Sequence, residues 1–427
     1  MIHTIVIADD VTGANDIGIM YAKSGLDTLV YSQTDRQPDY PPCDVLVIDT
    51  DSRFDTRESA YEKVRRAIRQ APKEGVRQYI DKQCSVFRGN IGAEFDAMLD
   101  ELHEEFAVVV LGFPNNGRTT LHSLHYVYGT LLEDSQFRHD PVHPMTCSDL
   151  REILKSQTSR RVSAIHWEVY EQGKEAVRKA LEEARKLGGY CIMDVRDNND
   201  LAFLAELLLE EKVLCGSSAL SEYLAKVQHF DKTSQENSQP EQKDNRVFCI
   251  AGSLTPQTVG QTQWMRDKGY PVFQMDTRLL IQPDTYEAEC SRLAELAVSA
   301  LQQGDFAMVH SMNQPELVEE TKKLASAQGI DNTSVSTLVS GALSRIARRV
   351  IDTCGIRKII VCGGDTSASL CAGLKVDGMR VLEEIETGLP TCQSVKPPYY
   401  ELVLKSGSFG SPEFIEKAMR VLTGTPQ

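Results

Sequence analysis

Two patterns of apolar residues alternate along the chain. Short, almost uninterrupted apolar runs occur at Ile2 to Ala8, Val45 to Ile48, Ala107 to Leu111 and Tyr190 to Met193, and stretches with helical spacing at Glu58 to Gln70, Lys174 to Leu187 and Ala202 to Glu210. Continuous runs suit strands buried on both faces, so the alternation predicts an α/β fold with a largely parallel sheet. The pattern stops at Asp231 to Asn245, where Pro240 is the one residue that is not polar or charged. Such a segment buries too little surface to order itself, and it is expected to be a polar linker (231–245) between domains of residues 1–230 and 246–427. Beyond it, helices are expected over Gln257 to Lys268, Glu287 to Gln302 and Leu338 to Thr353, with strands near Val272, Met308 and Ile360. Each domain is therefore predicted to have a largely parallel sheet flanked by helices. Ligands of such sheets gather at the carboxyl ends of the strands, which places the expected active site in the interdomain cleft.

Three apolar runs of the second half end in small-residue turns that lead into helical patterns. They are Val247 to Ala251 into Gly252-Ser253-Leu254-Thr255-Pro256, Ile359 to Cys362 into Gly363-Gly364-Asp365-Thr366-Ser367, and Leu402 to Leu404 into Ser406-Gly407-Ser408-Phe409-Gly410-Ser411-Pro412. Pro256 and Pro412 suit first helical positions, with Thr255 and Ser411 as N-caps. Each turn alone is an ordinary strand-to-helix connection. Together they point to a polyphosphate held by backbone amides, because unpaired N–H groups and the helix dipole attract phosphate oxygens and glycine lets the backbone come close. No Gly-x-x-x-x-Gly-Lys-Ser/Thr occurs, and no Gly-x-Gly-x-x-Gly follows the first strand, so a nucleotide would bind by another design.

Composition narrows the classes. At 427 residues two domains are expected, and 41% hydrophobic with 25% charged residues is the balance of a water-soluble globular chain without a membrane span. The start reads as a first strand rather than a leader, which sets the expectation of a cytoplasmic protein. A formal charge of −15 opposes nucleic acid or an anionic membrane as a main partner. The 11 cysteines contain no Cys-x-x-Cys and are expected to be reduced thiols. His122, His125, His139 and His143 lack a carboxylate-histidine signature and read as surface or loop residues rather than metal ligands.

Chemistry also collects behind the first strand. Ala8-Asp9-Asp10-Val11-Thr12-Gly13-Ala14-Asn15-Asp16 places three carboxylates and an amide at a strand end. They can accept hydrogen bonds from sugar hydroxyls, help hold magnesium, act as a base, or only cap the following helix. Asp49-Thr50-Asp51-Ser52-Arg53 adds an arginine able to grip a carboxylate, and Asp81-Lys82-Gln83-Cys84-Ser85-Val86-Phe87-Arg88-Gly89-Asn90 follows another strand-like run. The combination suits a small polyhydroxy acid.

Asp9 to Asp16, the Arg53 segment, Arg88-Gly89-Asn90-Ile91-Gly92-Ala93-Glu94, Gly363 to Ser367 and Lys405 to Gly410 together resemble the four-carbon acid sugar kinase family over nearly the whole chain. The resemblance implies an N-terminal sugar-acid-binding domain, a C-terminal nucleotide-binding domain, and phosphorylation by ATP of the terminal hydroxyl of a tetronate. It implies that Asp9, Arg53, Asp81, Lys82, Gln83 and Cys84, with Asp10 beside them, meet the sugar acid. Ser253, Gly363, Gly364, Asp365, Thr366 and Gly407 would meet ATP. Many members carry Asp-Ser-Thr-Leu-Arg-Gly where this chain has Cys84-Ser85-Val86-Phe87-Arg88-Gly89, and a cysteine there resembles the 3-oxo-tetronate branch. The opening segment resembles the D-threonate branch, which makes D-threonate the expected substrate and 3-oxo-tetronate or D-erythronate the alternatives.

Phosphoryl transfer demands positioning and charge stabilisation, so Mg2+ and the amides of Gly363 and Gly364 are assigned to the migrating group. Asp365 is the first candidate for the base, with Asp9 and Asp10 as rivals. A non-catalytic sugar-acid sensor and an ATP-dependent ligase forming an acyl phosphate are the competing classes. Sugar acid and ATP are the expected small-molecule partners, and a homo-oligomer is compatible with the chain.

Overall fold

The computed structural model describes residues 2–33, 38–140, 142–228 and 244–424. It has two compact units, Met1–Gln235 and Glu236–Gln427. Residues 231–243 of the expected linker lie outside the described residues.

The first unit is built on strands β1 (Thr4–Ala8), β2 (Thr28–Ser32), β3 (Val45–Asp49), β4 (Gln78–Lys82) and β5 (Phe106–Val110). A small antiparallel sheet of β6 (Arg118–Leu121), β7 (Leu124–Val127) and β8 (Thr130–Leu131) follows. Then come β9 (Val162–Ile165), β10 (Gly189–Met193) and β11 (Val213–Gly216). The main sheet runs in the order β2-β3-β1-β4-β11-β5-β10-β9, with every pairing parallel. Parallel strands covered on both faces need unbroken apolar sequence, and β1, β3, β5 and β10 are buried at every position. The flanking helices show the complementary pattern. The helix Arg57–Gln70 buries Ala60, Val64, Ala67 and Ile68, and the helix Lys174–Leu187 buries Val177, Leu181 and Ala184, a single stripe at three- and four-residue spacing.

The second unit contains β12 (Val247–Ala251), β13 (Val272–Met275), β14 (Phe306–Ser311), β15 (Lys358–Cys362), β16 (Gly378–Glu386), β17 (Leu389–Ser394) and β18 (Glu401–Lys405). Within it the order is β13-β14-β12-β15-β18-β17-β16, parallel from β13 to β18 and antiparallel through β17 and β16. The expected helices extend to Pro256–Asp267, Pro283–Gln303 and Asn332–Cys354. The β16–β17 hairpin and the hairpin around Leu121 were not expected, because their strands mix polar and apolar residues without a clean alternation. No helix among the described residues is long and apolar enough to cross a membrane.

Candidate active site

Strand register assembles the first unit's site. Ala8 pairs with Asp49 on one side and with Lys82 on the other, so the segments that follow β1, β3 and β4 leave the sheet side by side. Asp10 caps the helix Val11–Ala22, its Oδ1 accepting the Gly13 amide at 2.6 Å. Its Oδ2 accepts from Arg53 Nη1 and, at 3.2 Å, from Thr12 Oγ1. Arg53 presents its fork to Asp9, with Nε to Oδ2 and Nη2 to Oδ1 both at 2.7 Å. The crowding explains Gly13, where a Cβ would stand 2.7 Å from Asp10 Oδ1 and 3.3 Å from Lys82 Nζ.

Lys82 Nζ lies 3.4 Å from Asp16 Oδ2 and donates to the Gln83 carbonyl at 3.0 Å, while Ser218 Oγ donates to the same Asp16 oxygen at 2.8 Å. Arg88 Nε donates to Cys84 Sγ at 3.3 Å, and its Nη1 bonds Asp140. A cavity of about 460 Å³ opens beside Arg88 and Gly89, with His143, Met145 and Cys147 also on its wall. Asp81 and Gln83, grouped by sequence with the substrate contacts, are wholly covered. Gln83 Nε2 donates to Asp81 Oδ1 at 2.7 Å and to Glu94 Oε2 at 2.8 Å, and Ser52 Oγ donates to Glu94 Oε1 at 3.0 Å. Asp9 is just as fully covered and Lys82 nearly so, which makes these groups one buried polar network beneath Asp10 and Cys84.

Burial and charge divide the acids. Burial alone would raise Asp10, but Arg53, Lys82 and the Gly13 amide outweigh it and hold this carboxyl below its usual range. Burial likewise opposes ionisation of Cys84, yet Arg88 and Arg53 pull the thiol below its ordinary value. Nothing comparable offsets the burial of Asp81, pushed up to about 8, or of Glu94, raised well above a normal carboxyl by burial and by Asp81 and Asp9. Neighbouring cations thus favour the ionised form at Asp10 and Cys84, whereas burial disfavours it at Asp81 and Glu94.

Register also aligns the turns of the second unit. Ala251 pairs with Cys362, and Cys362 with Lys405. The Gly252 and Ser253 amides donate to the Cys362 carbonyl at 3.0 and 3.3 Å, and the Gly363 amide to the Lys405 carbonyl at 2.8 Å. The Thr255 and Thr258 hydroxyls donate to the Gly407 carbonyl at 2.5 and 3.0 Å. A Cβ on Gly407 would meet Ser253 Oγ at 2.2 Å, and Gly363, at φ 128°, stands against Ser253 N. Helices Pro256–Asp267 and Gly364–Leu374 begin at these turns without a side-chain N-cap, leaving first-turn amides for an anion.

Ser253, Gly363, Gly364, Thr366 and Gly407 are thus brought together. Asp365 is exposed on the first turn of Gly364–Leu374, where its Oδ2 accepts Ser336 Oγ at 2.8 Å. Thr255 holds the N-cap position as expected, but its hydroxyl is directed to Gly407. The third turn differs from expectation: its helix spans Phe414–Thr423, preceded by Glu413, and Ser411 instead bonds Glu386 through its amide (2.8 Å) and hydroxyl (2.5 Å). Sequence reasoning included Lys405 in a resemblance motif but gave it no role. This last residue of β18 is fully buried, and its Nζ donates to Thr258 Oγ1 at 3.0 Å and to the carbonyls of Ser406, Gly407 and Phe409 at 2.8, 3.1 and 3.2 Å. Burial pushes its pKa down to about 8. A lysine closing an otherwise apolar strand was the available signal. Glu94 and Arg88 were visible inside the resemblance motif, but nothing in the sequence tied them to Gln83 and Cys84.

Residues 4–224 match the family described as sugar-binding N-terminal domain, and residues 248–415 the one described as nucleotide-binding C-terminal domain. The chain is 29% identical to a 3-oxo-tetronate kinase of Haemophilus influenzae over 97% of its length and 98% of that protein's. It is 30% identical to a 3-oxo-tetronate kinase of Salmonella typhimurium, covering 98% of this chain and 99% of the other. A Salmonella typhimurium LT2 crystal structure, described provisionally as a tRNA synthase, superposes with a TM-score of 0.80 at 29% identity, covering 99% of this chain and all of the other. With both domain types matched in order and relatives aligned from end to end, the chain belongs to the four-carbon acid sugar kinase family.

Proposed function

We propose that this sugar-acid kinase transfers the terminal phosphoryl group of ATP to the C4 hydroxyl of a four-carbon sugar acid, with 3-oxo-tetronate as the preferred acceptor. The observation that carries the reaction is the register-aligned pair of uncapped helix starts beside Ser253, Gly363 and Gly407, a main-chain cradle that suits phosphate oxygens. ATP supplies the phosphoryl group, and Gly363 and Gly407 let the turns close on Ser253 so that their amides lie together. Mg2+ would be held chiefly by the phosphate oxygens. Asp365 remains the proposed base. Asp9 is spent on Arg53, and Asp10 on Arg53 and Gly13.

The choice of acceptor rests on Cys84. An aspartate at this position would be an acceptor facing a ketone oxygen, itself an acceptor, and would occupy Arg88 more firmly than sulfur does. A sulfur leaves Arg88 freer to donate to a carbonyl. The names of the relatives favour the same acceptor. D-threonate is the second reading, favoured by the Asp9 to Asp16 segment, whose carboxylates can accept from hydroxyls. The tRNA synthase description attached to the Salmonella structure gains nothing from a chain with a formal charge of −15.

The test is a coupled ATP assay with freshly generated 3-oxo-tetronate, D-threonate, L-threonate and D-erythronate. The highest kcat/KM is expected for the ketone, with a shift toward D-threonate or D-erythronate in Cys84→Asp. Turnover of none of the four would refute the kinase reading, and a preference for D-threonate by the unaltered enzyme would refute the acceptor.

A further inference from the structure

Within the first unit, away from the loops that follow β1, β3 and β4, the carboxyl ends of β9 and β10 carry a second group of side chains that the kinase reading leaves unused. β5 and β11 separate β10 from β4 in the sheet, so this group belongs to another part of the first unit. Asp194 follows β10, His166 follows β9, and His122 sits in the tight turn between β6 and β7. Their ligand atoms all lie within 4.8 Å of one another. Glu168, on the short helix after His166, brings Oε1 to 3.2 Å from His122 Nε2.

Asp194 is fully buried and fixed by backbone. Its Oδ1 accepts the Ser123 amide at 2.9 Å, and its Oδ2 accepts the amides of His122 at 2.9 Å and Trp167 at 3.3 Å. These bonds hold a turn in which His122 and Ser123 both adopt positive φ, 52° and 64°, a conformation that needs outside support in non-glycine residues. Stapling the turn accounts for Asp194 but not for the imidazoles. His166 Nδ1 is a buried atom 3.3 Å from Asp194 Oδ2, yet it forms no hydrogen bond with it or with any other group. Two donor atoms at that separation without hydrogen-bond alignment fit two ligands along one edge of a tetrahedron, about 3.4 Å for bonds of about 2.1 Å. The amide bonds to Asp194 supply the outer support that such ligands need, and the half-exposed side chains of His122 and Glu168 leave a path from solvent.

We propose that His122, His166 and Asp194, completed by Glu168, form a binding site for a borderline divalent transition ion of the zinc class. Two imidazoles with carboxylates favour such an ion over Mg2+ or Ca2+, which take all-oxygen shells. The ion would tie the β6–β7 turn to the edge of the main sheet.

The test uses the full chain, stripped with a chelator and titrated calorimetrically with Zn2+, and then with Co2+ under visible absorption. One Zn2+ per chain is expected, together with d–d bands of tetrahedral cobalt and no sulfur charge-transfer band. The doubly substituted His122→Ala/His166→Ala chain, altered only at part-exposed side chains, should bind at least about tenfold more weakly and lose the zinc-dependent rise in Tm. Absence of binding by the unaltered chain, equal binding by the substituted one, or a thiolate band would overturn the assignment.

Discussion

Arg53 spans Asp9 and Asp10, with Nε and Nη2 on the two oxygens of Asp9 at 2.7 Å and Nη1 on Asp10. Of a guanidinium's five N–H groups, three are directed at these neighbours, and under the proposed function the other two would meet a substrate carboxylate. The two aspartates therefore fix the orientation of the Arg53 fork as well as neutralising its buried charge. Lysine keeps the charge but cannot hold a two-pronged geometry. Arg53→Lys should lower kcat/KM for the sugar acid on the order of 10²-fold while leaving nucleotide affinity unchanged, as separate titrations with each ligand would reveal.

The nucleotide turns make a complementary prediction. A Cβ at Gly407 would overlap Ser253 Oγ, so Gly407→Ala must displace one turn from the other. Overpacking of this kind costs about 1–3 kcal/mol, and the displacement should raise KM for ATP without altering affinity for the acid. Unchanged ATP binding would show that contact between these turns does not shape the cradle.

Lys405 links pH to the same cradle. Its folded pKa of about 8 lies below its unfolded value, so between those two values the unfolded chain holds the proton more tightly. This group's contribution to stability therefore increases as pH rises through that window. The ammonium is nevertheless what gathers the carbonyls of Ser406, Gly407 and Phe409. Moving from pH 7 to pH 9 should raise KM for ATP, and Lys405→Met should have a high KM at both values.

The buried acid Asp81 behaves in the opposite sense. Burial lifts Asp81 to about 8, so from about pH 4 to about pH 8 the folded chain keeps a proton that the unfolded chain has released. Stability from this group falls as pH rises across that range. Asp81→Asn, which keeps an acceptor for Gln83, should gain Tm relative to the parent at pH 8 and little at pH 5. Equal differences at both values would refute a proton retained at Asp81.

Much of this was legible in sequence, and particular residues show where legibility ended. Unbroken apolar runs marked β1, β3, β12 and β15, because parallel strands covered on both faces tolerate little else. The small-residue turns after β12 and β15 followed from the need for close backbone approach. The burial of Arg53 was not legible, since an arginine in a polar loop looks the same whether it meets solvent or Asp9. Nor was the network in which Gln83 joins Asp81 to Glu94, because it depends on how the helix Ile91–Leu102 packs beside β4. His122 read as a loop histidine, and its neighbours His166 and Asp194 are adjacent only through strand pairing.

Proton-coupled 31P NMR of the reaction products tests the central claim most directly. With ATP and 3-oxo-tetronate, a new phosphate monoester signal split into a triplet by the adjacent C4 methylene protons is predicted, appearing in step with ADP. A new acyl phosphate signal without that splitting, or ADP and inorganic phosphate alone, would contradict phosphorylation of the terminal hydroxyl.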